Sequence, residues 1–205
     1  MKNLFTFIII VLGLASCSSS KVAKEMVSAD AKFQKELVEF YANSKTTPLN
    51  QEEIARFVGI TFFPVDAKYN VLADFTVIND GNVIPFPTSA GKIKYYKEYG
   101  IANFTIDGVE QSLKIYQSSP IQEEYKDHLF LPFTDDTNGI TTYGGGRYID
   151  LHTIDSFTED GKVKINFNEA YNPYCAYSSR YNCPIPPGDN SLDIAIQAGV
   201  TYNKK

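Results

Sequence analysis

A polar loop from Thr134 to Arg147 contains the residue types best suited to ligand binding in this chain. It reads TDDTNGITTYGGGR, with three consecutive glycines before the arginine. Glycines let backbone amides approach a ligand closely, and Arg147 can bind a carboxylate or phosphate through two parallel N–H donors. A nucleotide-binding loop is excluded, because the alternation after Arg147 predicts a strand where such a loop needs a helix. The structural alternative is a wide hairpin loop in which Arg147 pairs with Asp150 or Asp136.

Nucleophilic catalysis would need a serine or cysteine near a histidine that a third group orients. Ser89 is a possible nucleophile, and His128 and His152 are the only two histidines. No Gly-x-Ser-x-Gly elbow occurs, and Ser89 lies in a turn-rich stretch where hydroxyls commonly cap backbone groups. We therefore expect structural roles for all three residues.

Acid–base chemistry on a glycan would instead need two carboxylates at a defined separation. The candidates are Asp135, Asp136, Asp150 and Glu169. A calcium site over residues 135–139 is disfavoured, because the remaining ligands of an EF-hand loop are missing. No metal or cofactor is predicted.

The N-terminus has the order of a secretory signal: Lys2, an apolar run over residues 4–14, and small residues before Cys17. The run is too short to span a bilayer. Leu-Ala-Ser before Cys17 resembles the lipobox of bacterial lipoproteins, which implies cleavage after residue 16 and lipidation, with palmitate among the acyl chains, at Cys17. Since Ser18 is not the aspartate that retains enteric lipoproteins at the inner membrane, we expect an outer-membrane anchor facing the periplasm.

The charge balance agrees with attachment through lipid alone. The whole chain has a formal net charge of −5, and removing residues 1–16 takes away one lysine and no acid, which leaves about −6. Such a protein is a poor candidate for binding nucleic acid, which depends on clustered Lys and Arg. The predicted partners are a membrane, through the anchor, and a small polar ligand.

Cys175 and Cys183 are the two cysteines left after lipidation. In an oxidising compartment the default for such a pair is a disulfide, worth roughly 2.5 kcal/mol on the chain-entropy model. Their spacing is not typical of zinc sites, although a metal site or free thiols are the alternatives.

The remaining pattern predicts a mainly β, α+β domain over residues 26–205, after a flexible spacer at 17–25. Apolar residues recur at helical spacing from Met26 to Tyr41, and Asn50 with Glu53 forms a capping pair for a second helix that Gly59 would end. Alternation predicts strands at 69–77, 92–99, 101–107, 109–116, 128–133, 147–155 and 162–167.

Turn signals then predict how these strands connect. Gly100 and Asp107-Gly108 separate the second, third and fourth strands, and Asp160-Gly161 is predicted to join the last two in a hairpin. We expect an antiparallel barrel or sandwich with two N-terminal helices. The Pro-, Asn- and Tyr-rich stretch 168–187 can be neither regular helix nor strand, and its disulfide and aromatic anchors predict an ordered irregular segment.

Several blocks in this order resemble the bacterial and archaeal family catalogued as domain of unknown function 1684, over roughly residues 55–200. They are 62–66 (FFPVD), 88–91 (TSAG), 143–151 (YGGGRYIDL), 166–173 (NFNEAYNP), 175–177 (CAY) and 183–187 (CPIPP). The family pattern has acids where this chain has Thr141, Asn166 and Val200, which argues against carboxylate catalysis at those positions. The resemblance implies a region rather than an activity.

The polar residues of these blocks form the predicted ligand site: Tyr143, Arg147, Asp150, Asn168, Tyr171, Asn172 and Tyr177. A hairpin over 147–167 would bring segments 134–150 and 166–187 to one cleft, which we expect to bind a small polar or sugar-like ligand.

Three functions remain open, each with its own geometric signature. Convergent, poorly paired Arg147, Asp150 and Tyr171 would favour a lipid-anchored binding module of the cell envelope. A histidine or serine within hydrogen-bond distance of Asp150 would favour a hydrolase. Loop groups that all bond one another would favour a purely structural envelope protein.

Overall fold

A computed structural model describes residues 16–202, with side chains from residue 28 onward. The predicted signal peptide, apart from Ser16, and the side chain of Cys17 lie outside the described residues. Within the described part of the chain, no helix has the length and hydropathy to cross a bilayer.

Two helices precede the sheet. α1 runs from Ser16 to Ala42 and therefore includes residues 17–25, the predicted spacer. α2 runs from Gln51 to Arg56. The predicted capping pair is confirmed, because Asn50 and Glu53 exchange two backbone-to-side-chain hydrogen bonds of 2.8 Å. The helix ends before Gly59, since the N–H of Phe57 already bonds the carbonyl of Ile54.

Seven antiparallel strands form one sheet that curls into a half-barrel, which confirms the mainly β prediction. Their bounds are β1 Asn70–Val77, β2 Val83–Pro87, β3 Ile93–Ile106, β4 Val109–Ser119, β5 His128–Phe133, β6 Arg147–His152 and β7 Lys162–Asn166. The spatial order is β6-β5-β4-β3-β1-β7, and β2 adds to β3.

Two turn predictions have different outcomes. Asp107 and Gly108 both have positive φ, 51° and 81°, and make the tight β3–β4 turn as predicted. Gly100 does not separate two strands, because β3 continues through it with a bulge between Glu98 and Gly100. A glycine fits there because an added Cβ would lie 2.2 Å from the ring of Phe75.

The predicted hairpin over residues 147–167 is wrong. β6 pairs with β5 and β7 pairs with β1, at opposite ends of the strand order. The Asp160-Gly161 turn is local, with the amide of Thr158 bonded to the carbonyl of Lys162. A turn dipeptide sets the direction of the chain over a few residues, and it does not choose the partner of the strand that follows.

The two faces of the sheet are buried by different partners. On one face, mainly aliphatic residues pack together with Leu192, Ile196 and Ala198 from the end of the chain. On the opposite face, four buried aromatic residues form a second cluster: Phe86, Tyr116, Phe130 and Tyr148. We call these the core face and the aromatic face.

The C-terminal segment after β7 is irregular but firmly held. Cys175 and Cys183 form the predicted disulfide, with their Cα atoms 6.1 Å apart. Buried Asn190 donates to the carbonyls of Lys114 (2.9 Å) and Pro132 (2.7 Å), and so ties the segment to β4 and β5. The segment therefore lies against the sheet and can present side chains at fixed positions.

Candidate functional site

The polar groups of the loop between β5 and β6 bond one another. Asp135 Oδ1 accepts from the amide of Thr137 at 2.7 Å, and Asn138 Nδ2 donates to the carbonyl of Tyr143 at 2.6 Å. The hydroxyls of Thr137 and Thr142 are 2.8 Å apart. The loop thus has the signature of a structural element rather than of an anion cradle.

Arg147 is completely buried on the core face. Its Nη2 donates to Asp135 Oδ2 at 2.7 Å and to the carbonyl of Ile196 at 2.9 Å, and its Nη1 donates to the carbonyl of Ala198. Its partner is neither of the carboxylates proposed from the sequence, Asp150 or Asp136. Burial lowers the pKa of Arg147, and the adjacent Asp135 opposes that shift. The expected role of Arg147 as an anion clamp for a ligand is therefore wrong, because no solvent reaches it.

Two further predicted site residues are also placed away from a cleft. Asn168 is fully buried. Its side-chain amide accepts from the N–H of Asp66 at 3.1 Å and donates to the carbonyl of Asp66 at 3.0 Å. Tyr143 stays in the loop, with its ring edge-on to Tyr202 at 5.2 Å between centroids. Both are explained by local structure.

The other four predicted residues come together. Asp150, Tyr171, Asn172 and Tyr177 line one cavity of about 230 Å³ that α1 covers. We call this cavity the helix pocket. The contact between segments 134–150 and 166–187 is thus present, although β6 reaches it through direct pairing of Tyr148 with Tyr171 rather than through the predicted hairpin.

Asp150 is the centre of a hydrogen-bonded chain. Tyr171 Oη donates to Asp150 Oδ2 at 2.9 Å, and His128 Nε2 lies 2.9 Å from Asp150 Oδ1. The hydrogen bond that His128 makes to Asp150 raises the pKa of His128, and burial partly offsets this effect. Burial raises the pKa of Tyr171 well above its usual range, so its hydroxyl stays a donor. We call this arrangement the Tyr–Asp–His chain.

Strand pairing explains why these groups meet. Phe130 on β5 is opposite Asp150 on β6, and His128 is opposite His152, so all four side chains share the aromatic face. His152 has a separate partner, with its Nδ1 3.7 Å from Asp127 Oδ2. Only His128 reaches Asp150.

Ser89 has the structural role expected for it. Its Oγ accepts from the amide of Cys183 at 3.1 Å and lies 2.9 Å from Cys175 Sγ. It holds the β2–β3 turn against the disulfide, far along the chain from either histidine.

Two larger cavities lie on the aromatic face, and the side chain of Lys94 lines both. The first, of about 490 Å³, is bounded by Tyr96, Tyr125, His128 and Phe130. The second, of about 380 Å³, is bounded by Tyr148, Tyr171, Tyr174 and Tyr181. We call the pair the tyrosine groove. Among the described residues Lys94 makes no ion pair, and it is exposed.

Sequence reasoning did not single out Lys94, Tyr96, Phe130 or Tyr148. A usable signal existed in the even-numbered positions of β5 and β6, where His128, Phe130, Tyr148 and Asp150 alternate with aliphatic residues. Alternation also assigns Arg147 to the face opposite Asp150.

A family model described as "Protein of unknown function (DUF1684)" matches residues 55–201. The chain is also similar to an uncharacterised protein of Haloarcula marismortui, from gene locus rrnAC0354, whose structure was solved by NMR in solution. The two share 28% identity over 89% of this chain and 97% of that one, with a TM-score of 0.68. No curated protein matches the chain.

Proposed function

Because this chain belongs to the DUF1684 family, whose description carries no activity, we propose a function from its geometry: it binds a small polar, sugar-like ligand in the tyrosine groove. The observation that carries the proposal is the groove itself. Its two cavities, about 490 and 380 Å³, fall within the ~300–1,000 Å³ typical of small-molecule sites.

The groove offers the contacts that a sugar-like ring requires. Tyrosines present apolar ring faces with a hydroxyl at the edge, which suits ligands that are apolar on one side and polar on the other. Tyr174 and Tyr181 stand edge-to-face, with centroids 5.0 Å apart, and Tyr174 is substantially exposed. Lys94 lines both cavities and supplies a positive charge that favours a ligand with an anionic group. In this proposal Lys94 binds the anionic group of the ligand, a role that the sequence had assigned to Arg147.

Calorimetric titration with glucuronate and glucose tests this proposal, because the two sugars differ by a carboxylate. Glucuronate is expected to bind more tightly, and Lys94→Gln to weaken it by about tenfold, as for a lost hydrogen bond to a charged group. Lys97→Gln on the same strand is the matched control, since Lys97 is exposed and lines neither cavity. Equal affinities for both sugars, unchanged by Lys94→Gln, would contradict the proposal.

Hydrolysis is a second candidate function, favoured by the 2.9 Å contact between His128 and Asp150. His128 donates from Nε2 to Asp150, which leaves Nδ1 of the neutral ring as a base at the wall of the larger cavity. In an ester hydrolysis, Nδ1 takes a proton from water as the water oxygen bonds to the carbonyl carbon. The same proton then passes to the alkoxide as the C–O bond breaks. Asp150 and Tyr171 hold the ring in position.

Hydrolysis of p-nitrophenyl acetate tests this second candidate. His128→Gln is expected to lower kcat/KM by about 100-fold, and His152→Gln to leave it unchanged. The rate should rise with pH as His128 loses its proton. Asp150→Asn should move that midpoint to lower pH, because Asp150 raises the pKa of His128. An equal loss in both histidine variants would exclude His128 as the base.

We further propose that the protein is exported and held at the outer membrane, facing the periplasm, by lipid on Cys17. The N-terminal pattern supports export, and the Cys175–Cys183 disulfide is typical of an oxidising compartment. Palmitate labelling of the wild type and of Cys17→Ser tests the anchor. Label in the wild type alone, with loss of membrane association in the variant, is expected; an unlabelled wild type would contradict it.

A further inference from the structure

The helix pocket differs in chemistry from the tyrosine groove. Its volume of about 230 Å³ is below the ~300–1,000 Å³ of drug-sized sites, so its occupant is small. Its walls come from α1 on one side and from the C-terminal segment on the other, and six of its lining side chains are aromatic: Phe33, Phe40, Tyr41, Tyr171, Tyr174 and Tyr177.

The aromatic rings of the helix pocket are held in place by one another. Phe40 lies nearly parallel to Tyr174, with centroids 6.3 Å apart, and Tyr41 stands edge-to-face with Tyr177 at 5.3 Å. Six aromatic rings therefore border one small space. An aromatic ring attracts a cation over its face, where the quadrupole is negative, and not at its edge.

The charge of the pocket has one sign. Asp150 is the one acidic side chain among its described lining residues, and none of these residues is a lysine, arginine or histidine. Both carboxylate oxygens of Asp150 already accept one hydrogen bond, from His128 and Tyr171. When His128 is neutral, the negative charge of Asp150 has no cationic partner among the described residues.

A second polar group in the pocket has an unused acceptor. Asn172 is 2% exposed. Its Nδ2 donates to Tyr177 Oη at 2.8 Å and to the carbonyl of Thr201 at 3.3 Å, whereas its Oδ1, also buried, has no hydrogen-bond partner. A buried acceptor without a donor costs free energy, so the site is improved by a ligand that brings an N–H group.

From these observations we propose that the helix pocket binds a small alkylammonium group that carries at least one N–H. The aromatic rings surround the cation, Asp150 supplies the opposite charge, and Asn172 Oδ1 accepts the N–H. An anion or a neutral alcohol satisfies at most one of these three requirements. The inference does not rest on the ligand proposed for the tyrosine groove, although Tyr171 and Tyr174 border both spaces.

Titration of the full mature chain by NMR, following aromatic and backbone amide resonances, tests this site. The probes are n-propylammonium, the neutral n-propanol and tetramethylammonium, which keeps the charge but has no N–H. We expect saturable shifts of pocket resonances with n-propylammonium, none with n-propanol, and weaker binding of tetramethylammonium. Equal shifts with n-propanol would overturn the site, and equal affinity for tetramethylammonium would overturn the role of Asn172.

Two variants sharpen the experiment. Asp150→Asn keeps the size of the side chain and should weaken n-propylammonium binding by about tenfold. Asp127→Asn removes an acid from the neighbouring strand connection that does not line the pocket, and should change nothing. Unchanged binding in Asp150→Asn would overturn the proposal. Should Asp150→Asn fail to fold, the comparison of n-propylammonium with n-propanol in the wild type decides by itself.

The same titrations separate this site from the tyrosine groove. Lys94→Gln should weaken glucuronate and leave n-propylammonium binding unaltered, because Lys94 does not line the helix pocket. Loss of both ligands in Lys94→Gln would contradict an independent ammonium site. Loss of neither would leave this site intact and contradict only the function proposed for the groove.

Discussion

β6 contributes a charged residue to each face of the sheet, and the two residues differ in partner and in burial. Arg147 pairs with Asp135 on the core face, where both side chains are 0% exposed and the guanidinium bonds two further carbonyls. Three residues later, Asp150 meets His128 on the aromatic face, where the side chains are 43% and 30% exposed. The buried pair stabilises the interior of the protein, whereas the half-exposed pair borders cavities and can exchange protons with solvent.

Breaking the buried pair should have the largest effect. Arg147→Met leaves Asp135 as an uncompensated buried charge, and we expect a loss of about 3–5 kcal/mol in the free energy of unfolding. Urea unfolding at neutral pH measures this loss. The double variant Arg147→Met/Asp135→Leu should recover part of it, because no lone charge remains. A loss below about 1 kcal/mol, the size found for surface pairs, would contradict a stabilising role for the buried pair of Arg147 and Asp135.

Removing the disulfide tests whether it holds the C-terminal segment in place beside the His128–Asp150 pair. Cys175→Ser/Cys183→Ser should lower the free energy of unfolding by about 2–3 kcal/mol, because a short loop is no longer closed in the unfolded chain. The loss should also broaden NMR resonances of Tyr174 and Tyr181, which lie within or beside that loop. Sharp, unshifted tyrosine resonances would indicate that packing alone holds the segment.

Removing the hydroxyl of Tyr171 tests how much its hydrogen bond to Asp150 stabilises the protein. Tyr171→Phe removes one donor to Asp150, and we expect a loss of about 1 kcal/mol, typical of a single hydrogen bond. Thermal unfolding measures it against Tyr125→Phe, whose exposed ring makes no side-chain hydrogen bond among the described residues. Equal shifts in Tm for both variants would argue against a Tyr–Asp–His chain.

The smallest effect should be a pH dependence of stability that arises from the contact between His128 and Asp150. Since Asp150 raises the pKa of His128 above its usual 6.5 in the folded protein, this contact stabilises fully below pH 6.5. The stabilisation is lost as the pH rises through the folded-state pKa. NMR titration of His128 should show that Asp150→Asn lowers its pKa. An unchanged His128 midpoint would show that Asp150 does not control it.

The sequence predicted several elements because their causes are local. The capping pair of Asn50 and Glu53, the Asp107-Gly108 turn and the strand at 128–133 each depend on residues within a few positions of one another. The Cys175–Cys183 disulfide was predictable because, in an exported protein with a lipidated Cys17, these are the two cysteines that remain. The irregular stretch 168–187 followed from its prolines, which remove backbone donors and set φ.

The candidate site was predicted only in part, for a reason visible in β6. The seven residues came from blocks near one another in the chain, and Arg147 and Asp150 were taken to converge. A strand turns successive side chains to opposite faces, so residues three apart can never share one. The lysine that lines the groove comes instead from β3, more than 50 residues earlier in the chain.

The sequence by itself determined what each segment can become: an amphipathic helix, alternating strands, tight turns and a cross-linked irregular segment. These outcomes follow from side-chain spacing and backbone preference over short distances. Only the tertiary structure decided which face of β6 meets solvent, that β6 and β7 lie at opposite ends of the sheet, and that His128 reaches Asp150. Those outcomes depend on which strands pair and how the sheet curls, and both are set by the burial of side chains far apart in the chain.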